Sequence, residues 1–161
     1  MMHKLRMLMV VLLWGFSLVG HGDNASTQNP ADFIKAYETV LRQQDNGLLA
    51  SMLSDDVTVQ VTLLMADEEP MLISLTRDEF LQQQRALWLF ASVHEFHFDK
   101  PVVRKVADEG GRTRWQVTVE QQERYELFRS SLNRENRIAL VLEQRDDALL
   151  IKEIHTQSRE W

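Results

Sequence analysis

Up to residue 92 the apolar side chains recur mostly at helical spacing; from Val93 onward they alternate. This change of period constrains the fold more than any other feature of the chain. Alternation sends successive side chains to opposite faces, so a long alternating stretch describes strands with one buried face. Four long strands are predicted, near 93–106, 112–127, 137–145 and 148–158. Gly110-Gly111 and Asp146-Asp147 supply two turns, and 128–136 reads as a longer loop. Pro101 cannot donate a ladder hydrogen bond, which places a bulge or an edge there. Trp115, Val117 and Val119 form an apolar row, while Gln116, Thr118, Glu120, Gln122 and Arg124 form a polar row facing water. Strands joined by turns rather than crossover helices pair antiparallel.

A sheet with one apolar face needs a second layer, and residues 29–92 supply it. Asn29-Pro30 opens a helix as cap and first residue, with Asp32 suiting its dipole. Phe33, Tyr37, Val40 and Leu41 make its apolar stripe. Leu48, Leu49, Met52 and Leu53 form a short second helix after Asp45-Asn46-Gly47. Val57, Val59 and Val61 alternate as a strand, 66–70 turns, and 71–75 returns. Thr76 and Glu79 form a capping box that opens a third helix carrying Phe80, Leu81, Leu87 and Trp88. The predicted class is α+β, with helices 1 and 3 on the apolar face of the sheet. A sheet that curls around them encloses a cone whose open end admits a small ligand. Phe33 and Phe80 are expected to be structural.

The ends and the composition bound the setting. Lys4 and Arg6, an uncharged run over 7–19, then Gly20 and Gly22 follow the order of a cleavable export segment, residues 1–22. The run is shorter than the roughly 20 apolar residues a spanning helix needs. Residues 23–28 read as a polar tail and 29–161 as one domain, placed in the periplasm or secreted. Loss of residues 1–22 leaves 16 basic residues against 24 acidic ones. That balance, without clustering of the basic residues, argues against nucleic acid and anionic lipid as partners. The absence of cysteine excludes disulfides, thiolate metal sites, a thiol nucleophile and a lipid-bearing cysteine.

Few side chains suggest chemistry. His94 and His97 lie three apart on a strand, hence on opposite faces, and His155 lies on the last strand. No metal site is expected from them. Glu95 with His97, and Glu153 with His155, share faces and are expected to be solvated ion pairs. Ser130-Ser131 lacks a nearby base, and Arg129, Arg134 and Arg137 read as solvated decoration. The run IALVL at 138–142 is apolar on both faces, so Ile138, Leu140 and Leu142 are expected to meet a second copy of the chain.

The stretch 33–61, FIKAYETVLRQQDNGLLASMLSDDVTVQV, resembles the opening of NTF2-like proteins, the group of ketosteroid isomerases and SnoaL-like cyclases. The element order of the remaining residues agrees. The resemblance implies a cone of three helices on a strongly curved antiparallel sheet, in an exported bacterial member of the group. It places Tyr37 where ketosteroid isomerases hold an oxyanion donor, Val61 where they hold the general-base aspartate, and 138–142 where they hold a second acid. Valine cannot take a proton, so that chemistry is not expected. The expectation is a cofactor-free domain without catalytic residues, binding a small apolar molecule or a protein, with Tyr37, Trp88, Phe98 and Trp115 lining the pocket. Two alternatives stand beside it. One is a SnoaL- or dehydratase-like enzyme using Tyr37 with His97 or Glu95 as base. The other is an assembly module of the cell envelope. An acid or base projecting inward beside Tyr37 would overturn the carrier expectation.

Overall fold

The computed structural model describes residues 29–161; the expected export segment and tail, 1–28, lie outside the described residues. Helix α1, Pro30–Gln43, starts where Asn29 accepts a hydrogen bond from the Ala31 amide at 2.9 Å, and stops at Gln44 in the left-handed region. Its buried stripe is Phe33, Ile34, Tyr37, Val40 and Leu41. Asp45 caps α2, Asn46–Met52, and strand β1, Leu53–Leu64, follows without a linker. The strand starts earlier than its valines suggest, and there Ser54 is buried and bonds to Asp56. Strand β2, Met71–Leu75, returns antiparallel to β1, and the capping box of Thr76 and Glu79 opens α3, Arg77–Phe90.

The remaining strands are β3, Ala91–Phe98; β4, Val102–Glu109; β5, Arg112–Leu127; β6, Ser130–Arg145; and β7, Ala148–Glu160. The stretch expected as one strand over 93–106 is broken at Pro101 into β3 and β4. Both pair with β5, β4 along its first half and β3 along its second. The loop expected over 128–136 is absent. Leu127 pairs with Ser130, so Phe128 and Arg129 alone make the turn, with φ of 48° and 72°. Ser130 and Ser131 therefore belong to β6.

The seven strands form one curved, unclosed sheet in the order β2-β1-β7-β6-β5-β3, with β4 also on β5. One pair departs from the antiparallel expectation: β1 runs parallel to β7. A long chain path separates them, which a parallel pair requires. A bulge near Lys152 shifts the β6–β7 register, so Ile151 and Ile154 both reach the core. Ile138, Leu140 and Leu142 are buried in that same core at 6% exposure or less. The interface expected from them is corrected on this point. Only Ala139 and Val141 take the other side of the strand, and both are partly exposed.

Candidate active site

Along each long strand the inward row changes character part-way. On β5 it runs Val117, Val119, then Gln121 and Glu123; on β6, read in reverse, Leu140, Ile138, then Asn136 and Arg134. On β7 Ile154 gives way to Thr156 and Ser158, and on β3 Phe98 and Phe96 give way to His94. Register aligns these changes: Val119 faces Ile138, Gln121 faces Asn136, and Asn136 faces Ser158. The core therefore ends in a polar floor at one level of the sheet. Helix α1 contributes Tyr37 and Leu41 above it, and α3 contributes Phe80, Gln83, Gln84 and Leu87. Between them lies a cavity of about 150 Å³.

The floor is a connected network. His94 Nε2 stands 2.7 Å from Glu123 Oε1, and both side chains are more than nine-tenths buried. Asn136 Nδ2 donates to Gln121 Oε1 at 2.7 Å and to Glu123 Oε2 at 3.2 Å, while its Oδ1 accepts from Ser158 Oγ at 2.6 Å. Arg134 Nη1 approaches Glu123 Oε2 at 3.7 Å. With these donors around it the carboxyl group acts as acceptor, so His94 Nε2 carries the hydrogen. His94 Nδ1 makes no hydrogen bond among the described residues, and the ring borders the cavity. An imidazole held in one tautomer by a carboxylate, with its other nitrogen free, is the arrangement that accepts a proton from a guest.

Tyr37 is buried and borders the same cavity, and its hydroxyl has no hydrogen-bond partner among the described residues. Burial, and then the negative charge of Glu123, pushes its phenol well above the usual tyrosine range. It is therefore a neutral donor throughout the physiological range. Phe98 supports it from the side away from the floor, ring centroids 6.4 Å apart and nearly parallel. Beyond the floor, Tyr125 donates to Glu160 at 3.0 Å, and Arg134 bonds to both.

Of the four pocket residues expected from the sequence, Tyr37 lines this cavity. Phe98 lies behind Tyr37, while Trp88 and Trp115 pack against the core. Phe80 is buried and forms part of the cavity wall, and Phe33 is at 1% exposure in the core. The two histidines do part to opposite faces: His94 is inward, while His97 is 72% exposed and 3.6 Å from Asp99. Glu95 is also exposed and does not border the cavity. Neither serves Tyr37 as base. His155 pairs with Glu153 at 3.0 Å on the outer side, and among the described residues no three metal-ligating side chains gather. Val61 is apolar cavity wall. Arg134 is a correction: it is three-quarters buried and ion-paired, not decoration. The larger correction concerns chemistry. The sequence reading placed no acid or base inside the cone, yet Glu123 and His94 stand there because the β5 and β3 rows continue inward past their apolar parts. Extending the row Trp115, Val117, Val119 by two more steps would have found Glu123.

No protein-family model matches this chain, and no curated protein does. Solved structures do. An NTF2-like protein of unknown function from Rhodospirillum rubrum is similar with a TM-score of 0.60 at 15% identity, over 81% of this chain and 98% of that one. An NTF2-like protein from Cytophaga hutchinsonii gives 0.59 at 16% identity, over 81% and 98%. A candidate scytalone dehydratase from Novosphingobium aromaticivorans gives 0.55 at 13% identity, over 79% of each chain. At such identities the likeness is one of fold and carries no activity with it. The chain has the NTF2-like, SnoaL-like fold.

Proposed function

We propose that the cavity binds an uncharged, single-ring-sized molecule bearing a carbonyl or hydroxyl group, and exchanges a proton with it. The observation that carries this is the His94–Glu123 pair, 2.7 Å apart and buried in a cavity that Tyr37 also borders. Size limits the guest. An apolar cavity of about 150 Å³ in another protein takes up benzene, whereas drug-sized ligands need about 300 Å³ or more. Four fused rings do not fit; one ring does. For a carbonyl guest, the oxygen would accept from the Tyr37 hydroxyl, and a proton on the carbon next to the carbonyl would pass to His94 Nδ1. The electron pair stays on the guest as an enolate stabilised by the phenol, and Glu123 stabilises the imidazolium. Return of the proton to the far carbon of a conjugated guest gives isomerisation, and departure of a β-hydroxyl group as water, with the proton returned by the imidazolium, gives dehydration. The overlay with a candidate dehydratase is consistent with this class and does not choose within it. The same proposal places the protein outside the cytoplasm, on the order of residues in 1–22.

The test uses 4-nitrophenol, whose colour reports its own proton. Bound to the wild-type chain, a larger share of it is expected to be yellow than in buffer at the same pH, the proton passing to His94. His94→Ala is expected to bind it without the colour change, and Tyr37→Phe to bind it about tenfold more weakly, the loss of one buried hydrogen bond. Equal ionisation in His94→Ala, or no binding to the wild type, would overturn the proposal.

A further inference from the structure

A second concavity lies beside the inner cavity. An outer cavity of about 310 Å³ shares Gln83, Gln84, Leu87 and Arg134 with it. Its far wall is Phe90 from the end of α3 and Phe128 from the β5–β6 turn, ring centroids 6.1 Å apart. Both rings are largely exposed, Phe128 at 82% and Phe90 at 55%. Two exposed rings in contact beside a cavity form an apolar patch that a ligand or partner could cover. The backbone sharpens the point. A two-residue hairpin turn with both φ values positive suits glycine, asparagine or aspartate. The β4–β5 turn follows that preference with Gly110-Gly111, and the β6–β7 turn has Asp146 at φ 50°. The β5–β6 turn instead places a bulky phenylalanine at φ 48°, a position of steric strain for such a side chain. Strain of this kind persists where something other than local stability keeps it.

We infer that the outer cavity is a second subsite of the same site, taking the flat apolar part of a two-part guest whose polar ring sits at the His94–Glu123 end. The inference rests on the reading of the inner cavity as a small-molecule site. The guest's chemistry follows from the residues the two cavities share. Arg134 is the cation there, and its charge is already met by Glu160 and by Glu123. No anionic group on the guest is called for, so the guest is neutral. Phe90 and Phe128 offer ring faces to its distal part, which an aromatic or flat alkenyl group would cover.

The experiment compares phenol with 4-phenylphenol by calorimetric titration of the wild type, Phe90→Ala and Phe128→Gly. Both positions are exposed, and glycine suits the turn, so neither variant threatens folding. The wild type is expected to bind 4-phenylphenol at least about tenfold more tightly than phenol, the gain from partly covering one ring. In both variants that advantage is expected to shrink to about twofold, with phenol affinity unchanged. Phenol binding with no gain for the longer guest, or a gain that survives both substitutions, overturns the second subsite and leaves the inner site standing. Failure of the wild type to bind phenol overturns the inner site and the inference together.

Discussion

A phenol buried beside a carboxylate holds its proton far above the pH at which a free one loses it. The chain has two tyrosines, and both are in that position. Burial pushes Tyr125 up to about 12 against the opposing charge of Arg134, and burial with Glu123 pushes Tyr37 higher. Both folded values lie above the unfolded one near 10, so their contribution to stability is full below pH 10 and lost as pH rises through the folded values. An absorbance titration is expected to show almost no phenolate at pH 10.5, with ionisation arriving together with unfolding. Half the phenolate signal appearing near pH 10 in folded protein would contradict this. Phe80→Ala is expected to cost about 3–5 kcal/mol in denaturant unfolding, and since Phe80 also lines the cavity, lost binding in that variant would not by itself separate the two roles. At this scale the sequence was legible where size decides burial. Phe33, Phe80 and Tyr37 lie inside as expected. It was not legible where polar residues are buried, because Glu123 and Asn136 read as surface until their partners are known.

Strands in this sheet carry different burdens at their two ends. Opposite the cavity end, Glu143 of β6 is fully buried among Arg112, Arg114 and Arg145, at 3.0, 2.8 and 3.0 Å. Arg145 and Lys152 reach on to Asp56 of β1, joining four strands. Burial alone would push the Glu143 carboxyl up, but hydrogen bonds from Arg145, Arg114 and Arg112 outweigh it and set it at about 2. The folded value lies below the unfolded one, so the stability it contributes is present above about pH 4.5 and lost as pH falls toward 2. Glu143→Gln is expected to lower stability by about 3–5 kcal/mol at neutral pH and to flatten the acid limb of the stability profile. An unchanged acid limb would remove Glu143 from that role. The order of the helices, the caps and the turns at Gly110-Gly111 and Asp146-Asp147 were legible because each has local chemistry. The tight turn at Phe128-Arg129 was not, because its residues contradict the preference of the turn they make.

For the molecule as a whole, the helical layer and the sheet meet in a core that tapers from apolar to polar, and the cavity lies where the taper crosses over. The inward members of the apolar run at 138–142, Ile138, Leu140 and Leu142, are enclosed by the chain's own core, while Ala139 and Val141 lie on the other face. Ile138→Ala is accordingly expected to lower stability by about 2–5 kcal/mol while leaving the sedimentation coefficient of the folded protein unchanged. A shift in that coefficient would restore the interface expected from the sequence. The α+β class was legible in the change of period at Val93, since that pattern is set by which faces are buried, whereas the cone was implied by the resemblance of 33–61 to NTF2-like proteins. The parallel β1–β7 pair and the hydrogen bonds of the polar floor depend on contacts between distant segments, and local spacing reaches only as far as the row that leads to Glu123. What the floor does is open to one direct measurement: hydrogen–deuterium exchange at the α-carbons of cyclohexanone in D₂O, followed by proton NMR. Wild-type protein is expected to accelerate the exchange by about a hundredfold or more over buffer, the contribution of one positioned base, and both His94→Ala and Glu123→Gln to lose most of that acceleration. Exchange at the buffer rate with wild-type protein, or undiminished acceleration in His94→Ala, would contradict a proton-transferring site.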